Sequence, residues 1–166
     1  MTVLIGIPLL AFMVILQSAV VSRTPLLMGF PDLALLLIIA WTLQERVDTA
    51  WHWSLLGGIF AGIPSALPFG VFIAGYLGTT ALALTLRRRL WKIPLMAMLI
   101  TTIFGSLFTQ GLSVVALNLS GSPLPDFDSV VSIFLPSLLL NILLAVPFFL
   151  LVNDLAKWLY PKEIEA

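Results

Sequence analysis

The chain contains no cysteine and one histidine, His52. Disulfides and thiolate chemistry are therefore excluded, and a zinc or haem site built from His and Cys lacks its ligands. Charge is equally scarce. Eight basic and eight acidic residues among 166 leave a net charge of zero and only 10% of the chain charged, against about 25% in soluble domains. Neutrality removes any bulk electrostatic argument for nucleic acid. There is no Gly-rich phosphate loop, no HExxH and no GxSxG,. No pair of acids shares a membrane depth, and no chain of ionisable groups crosses the apolar stretches as a pump would want. The reading is a non-enzymatic protein without a cofactor or metal.

What the chain does have is apolar surface. Hydrophobic residues make up 60% of it, and its mean hydropathy is +1.12. A soluble domain of this size could not hide so much, and a disordered chain would not carry it. The expected class is an all-α polytopic membrane protein, one bundle without a second domain, because lipid leaves no partner for unpaired backbone groups. Charged residues and prolines punctuate six expected transmembrane helices at about 3–21, 31–48, 51–63, 69–86, 94–117 and 130–152, with an amphipathic tail at 153–160,. The first lacks a basic n-region and is followed by further spans, so it reads as a retained helix rather than a signal peptide. Pro31 suits the first helical position of the second span, with Asp32 in its first turn. The second and third spans are short, which tilt, local thinning or a partly re-entrant turn accommodates.

Six spans place Arg46, Arg87, Arg88, Arg89, Lys92, Lys157 and Lys162 on one side and Arg23 alone on the other. The positive-inside rule then puts both termini in the cytoplasm. The loops at 22–30, 64–68 and 118–129 face outside. A five-span alternative would separate the C-terminal basic residues from the others.

Several residues stand out, each with two readings. Ser54, Gly58 and Gly62 recur every four residues, and Gly58 to Gly62 is a GxxxG. Such a face serves either packing within the bundle or contact with a foreign helix. Ala74 and Gly78 repeat the pattern one helix later. Asp32 is the one acid near hydrocarbon: an ion-path residue or a helix-start residue at the outer interface. Asn141 lies mid-helix and needs an interhelical partner, as structural glue or as a ligand contact. Gln17, Gln110 and Asn118 invite the same reading. Trp51, His52 and Trp53 fit an interfacial aromatic belt. The Arg87, Arg88, Arg89 and Lys92 cluster fixes topology and could hold anionic lipid heads.

Taken together the motifs resemble the MreD family of bacterial rod-shape membrane proteins. Pro31-Asp32-Leu33 opens the second helix, followed by an aliphatic run and Trp41. A glycine-rich third helix runs into Ser65-Ala66-Leu67-Pro68-Phe69-Gly70, similar to the family's S-G-x-P-L-G turn. Gly75 or Gly78, followed by Arg87 to Arg89, resembles the family's fourth helix. Asn141, Leu144 and Pro147 match its N-x-x-L-x-x-P pattern. One departure is Gly62, at or near the place where the family commonly has an Asp. The resemblance implies six helices in a fold similar to the substrate-binding S components of energy-coupling-factor (ECF) vitamin transporters, and no enzyme activity. It implies a place in the inner membrane and binding to MreC, with links to MreB and to a SEDS glycosyltransferase with its class B penicillin-binding protein. Kinship with S components also leaves a small-molecule-binding transporter subunit as the alternative.

Overall fold

The computed structural model describes residues 2–19, 29–45, 47–123 and 126–160. These residues form six α-helices and no strand: α1 (Thr2–Ala19), α2 (Leu33–Thr42), α3 (Ala50–Gly62), α4 (Gly70–Arg89), α5 (Pro94–Leu119) and α6 (Phe127–Leu159). The helices α4, α5 and α6 are each long and apolar enough to cross a membrane. Residues 20–21 of the expected first span, Arg23, Arg46 and Lys162 lie outside the described residues.

The organising element is α2. Its sequence, LALLLIIAWT, is apolar on every side, and all ten residues are buried. A helix that is hydrophobic all round belongs inside a bundle, and α2 touches each of the other five helices. At 1.5 Å per residue it is about 15 Å long, half of a ~30 Å hydrocarbon layer. Contacts between elements show the chain reversing from helix to helix. Gly6 meets Trp53 and Gly57 meets Leu10, so α1 and α3 run parallel. Gly58 meets Ile73 and Gly62 meets Phe69, and Gly75 meets Thr109 and Gly105 meets Thr79, so α4 runs antiparallel to both α3 and α5. The end where α4 gives way to α5 carries Arg87, Arg88, Arg89 and Lys92 and is termed the basic end.

Several boundaries differ from the sequence expectation for physical reasons. The second helix was expected over 31–48 but occupies Leu33–Thr42. Pro31 is not its first helical residue: Asp32 is the N-cap, its side chain accepting from the Leu35 N–H,. At the other end the backbone leaves the helix at Leu43. The last span and the amphipathic tail are one continuous helix of 33 residues. It is about 50 Å long and so outruns the apolar layer. The aromatic belt also divides. Trp51 is exposed, whereas Trp53 is fully buried and stacks on Trp41 with ring centroids 4.2 Å apart.

The small residues at helical spacing seat neighbouring helices within this chain. At Gly58 a Cβ would lie 2.7 Å from the Cα of Ile73, so the α3 and α4 backbones could not approach as they do,. Gly62 faces the ring of Phe69 and Gly78 the ring of Phe108. Ala74, by contrast, is exposed. Substituting Gly58→Ala is therefore expected to lower the melting temperature in detergent by several degrees, despite alanine's intrinsic helix preference of about 0.5–1 kcal/mol. Gly111, also helical but with nothing within 4 Å of its Cβ position, should tolerate Ala with an unchanged or higher melting temperature.

Candidate functional site

The first turn of α2 ends inside the bundle, so its N–H groups need partners other than water. Side chains from α1 and α6, with the N-cap Asp32 itself, supply them. Phe30 N–H donates to Ser137 Oγ at 2.9 Å. Residue 31 is proline and has no N–H to satisfy. Asp32 N–H donates to Asn141 Oδ1 at 2.8 Å, and Leu33 N–H to Gln17 Oε1 at 3.1 Å. Leu35 N–H donates to Asp32 Oδ1 at 3.0 Å. The same carboxylate accepts from the Tyr76 hydroxyl, which lies 2.8 Å from Oδ1 and 2.9 Å from Oδ2. Asn141 completes the junction by donating through Nδ2 to Ser106 Oγ at 2.9 Å. The amide of Asn141 thus ties α2, α5 and α6 together at one point.

Local sequence explains how the junction is reached. Gly29 lets the incoming chain lie against α6: a Cβ there would sit 2.5 Å from the Ser137 nitrogen and 2.6 Å from Pro136 Cβ. Phe72 packs edge-on against Tyr76, centroids 6.1 Å apart, and Tyr76 itself is fully buried. Asp32 is therefore a helix-start residue, one of its two expected readings, with its carboxylate turned into the bundle. It is the N-cap of an internal helix, its carboxylate engaged by a phenol and a backbone amide.

The other end of α2 is closed by one cation. Arg87 Nη1 donates to the carbonyls of Thr42, Gln44 and Val47 at 2.9, 2.8 and 3.1 Å. Thr42 is the last residue of α2, with its carbonyl open,, while Gln44 and Val47 lie in the chain that leaves the helix; positive charge is favourable at a helix C-terminus. The basic cluster is therefore not uniform. Arg88 and Arg89 are exposed, and Lys92 Nζ lies over the Trp91 ring at 5.2 Å.

The structure brings together Pro31, Asp32 and Asn141, with Arg87 at the opposite end of the same helix. It does not bring Gly58, Gly62, Ala74, Gly78 or Pro147 to that junction. Ala74 and Pro147 are exposed. Asn118 is exposed as well, and the Gln110 Oε1 is buried without a partner among the described residues. Sequence reasoning passed over Tyr76, Ser106 and Ser137. For Tyr76 a signal existed: a phenol in an apolar stretch needs an acceptor, and Asp32 is the one acid of that region.

Two cavities flank α2. At the far end a cavity of 280 Å³ is lined by Gln17, Ser18, Phe30, Ala61, Ser65 and Phe72. At the basic end a groove of 640 Å³ runs between the end of α2 and the last turns of α6. No family model matches the chain, and no curated protein or solved structure matches it.

Removing Arg87 or Asn141 strands buried backbone groups, which costs roughly 1–3 kcal/mol each. Arg87→Gln and Asn141→Leu should therefore each lower the denaturation midpoint in detergent micelles. Ser129→Ala, at a hydroxyl that meets the Asp126 carboxylate in an exposed turn, should leave it in place. A Ser129-sized effect at Arg87 would contradict the capping assignment.

Proposed function

We propose that this chain is a non-enzymatic membrane scaffold of the bacterial rod-shape machinery, similar to MreD. It crosses the inner membrane six times with both termini in the cytoplasm, α2 completing its pass with the buried non-helical chain at its two ends,, in an arrangement similar to the ECF S components. It binds the transmembrane helix of MreC and through it serves MreB and the peptidoglycan synthase pair. One observation carries the reading. Two of the four motifs of the resemblance, Pro31-Asp32-Leu33 and Asn141-x-x-Leu144-x-x-Pro147, are joined by the 2.8 Å hydrogen bond from Asp32 N–H to Asn141 Oδ1. Residues over a hundred positions apart then form one device, a reason for a single family to keep both. The reversal of direction from each helix to the next supports an even number of passes.

Within this reading the partner's helix does not use Gly58, Gly62 or Gly78, which already seat Ile73, Phe69 and Phe108. Ala74 is free to meet it. Co-purification with MreC from membranes is the test, with a photo-crosslinker placed in turn at Ala74 and Gly58. Capture of MreC from Ala74 and not from Gly58 is expected. Two folded proteins that fail to associate would end the proposal.

The far-end cavity favours a second reading, a small-molecule-binding subunit of a transporter. Its walls combine the rings of Phe30 and Phe72 with the amide of Gln17, an apolar pocket with a convergent polar group. A thermal-shift screen against vitamins separates the two, since a ligand at about 100 times its Kd adds ~2.7 kcal/mol of stability. The scaffold reading expects no such shift.

A further inference from the structure

The groove at the basic end is used neither by the α2 anchorage nor by the proposed scaffold role, and its chemistry is independent of both. Its volume of 640 Å³ lies in the range of ligand sites. Its apolar part is Leu43 and Phe149, both buried, with Pro94 from the start of α5. Its polar part has two signs on two walls. Glu45, exposed just beyond α2, supplies a carboxylate. Asn153 and Lys157, one turn apart on α6, supply an amide and an ammonium. The Asn153 side chain makes no hydrogen bond among the described residues. Lys157 meets Asp154 only at 3.4 Å, on an exposed surface, where such a pair contributes little. Glu45 forms no ion pair among the described residues. A smaller recess beside the groove brings Arg87 near Glu45, but the Arg87 Nη1 is committed to carbonyls.

The level of the groove identifies its surroundings. Trp91 and Trp158 at the same end are 64% and 75% exposed, as indole rings are where headgroups meet hydrocarbon. A ligand at that level with an apolar stem and both charges on its head is a phospholipid. We propose that the groove binds a phospholipid with a zwitterionic, primary-amine head. Its phosphodiester sits on Lys157 and Asn153, its ammonium on Glu45, and its glycerol and upper chains on Leu43, Phe149 and Pro94. The anionic head of phosphatidylglycerol places the same phosphodiester on Lys157 but has no ammonium to neutralise Glu45, offering it only a neutral hydroxyl. A quaternary choline head satisfies the charge but has no N–H to donate to the carboxylate.

The test uses the full chain in mixed micelles doped separately with phosphatidylethanolamine, phosphatidylcholine and phosphatidylglycerol. Native mass spectrometry reads the lipid retained. Phosphatidylethanolamine should be retained about tenfold better than phosphatidylcholine, the worth of one charge-assisted hydrogen bond. Glu45→Gln should reduce it to the phosphatidylcholine level. Lys157→Gln should weaken both, and Arg88→Gln, outside the groove, should change neither. Melting curves in lipid-free micelles confirm that each variant folds. Equal retention of the two zwitterionic lipids overturns the proposal. So does a preference for phosphatidylglycerol, abolished by Arg88→Gln and indifferent to Glu45→Gln, because that is surface charge rather than a built groove.

Discussion

A helix only half as long as the hydrocarbon layer is thick leaves open backbone ends that must find partners within the bundle, and this constraint shapes the fold. α2 is such a helix. Its ten residues are apolar on every face, so it gains by sitting at the centre, yet each end exposes polar groups whose burial unpaired costs several kcal/mol. The chain meets the cost twice, by different chemistry. At the N-terminal end the open groups are donors, and acceptor oxygens converge on them: Ser137, Asn141, Gln17 and the Asp32 carboxylate. At the C-terminal end the open groups are acceptors, and one guanidinium nitrogen gathers the Thr42 carbonyl with those of Gln44 and Val47 in the chain just beyond. The signs match the helix dipole at both ends. The few strongly polar side chains of an apolar protein are thus spent on holding an internal helix.

The rest of the packing follows from the need to surround α2 closely. Lipid gives helices no hydrophobic reason to associate, so close approach and internal hydrogen bonds must hold them. The α4–α5 seam shows the pattern in reciprocal form. The methyl of Thr79 fills the notch at Gly105, and the methyl of Thr109 fills the notch at Gly75. Each hydroxyl turns back to a carbonyl on its own helix, Thr79 to Gly75 at 2.8 Å and Thr109 to Gly105 at 3.0 Å. Between α3 and α4 the same economy appears as a hydrogen bond between the Ser54 and Thr80 hydroxyls beside the Gly58–Ile73 contact. Threonine serves this purpose because one side chain offers both a methyl for the notch and a hydroxyl that never needs water.

Much of this was legible in the sequence, and the illegible part is non-local. The all-helical class, the apolar runs and the need of Asn141 for an interhelical partner all follow from composition and spacing. The GxxxG of α3 announces a packing seam, but not that Ile73 lies across it. The early stop of α2 could not be read locally, since nothing between Thr42 and Val47 forbids helix. It depends on Arg87, some forty residues onward, taking the carbonyls. Charge counting treated Arg87 as equivalent to Arg88 and Arg89, because a count does not see which face of a helix a residue occupies. The Trp51-His52-Trp53 run shows the opposite case. At about 100° per residue, positions 51 and 53 point to nearly opposite sides of α3, so one tryptophan was bound to face inward, and Trp53 does.

The distribution of small and polar residues also constrains how such a protein recognises anything in the plane of the membrane. Recognition between transmembrane helices relies on small-residue faces and polar side chains, and here Gly58, Gly75, Gly78 and Gly105 are all filled by neighbours within the chain. Asn141, Tyr76 and Asp32 are already engaged by one another, by α2 and by Ser106 of α5. What remains facing outward on α6 is a row of large apolar side chains, Leu135, Leu139, Leu143 and Leu150 among them, which lipid tails solvate as well as a partner would. Selectivity must then come from places where the outward surface departs from that uniformity: the small residue Ala74 on α4, the exposed Pro147 of α6, and the helix ends where charge returns. A bundle that spends most of its specific chemistry internally is left with few features for recognition, the small or kinked sites within its helices and the charge at its rims.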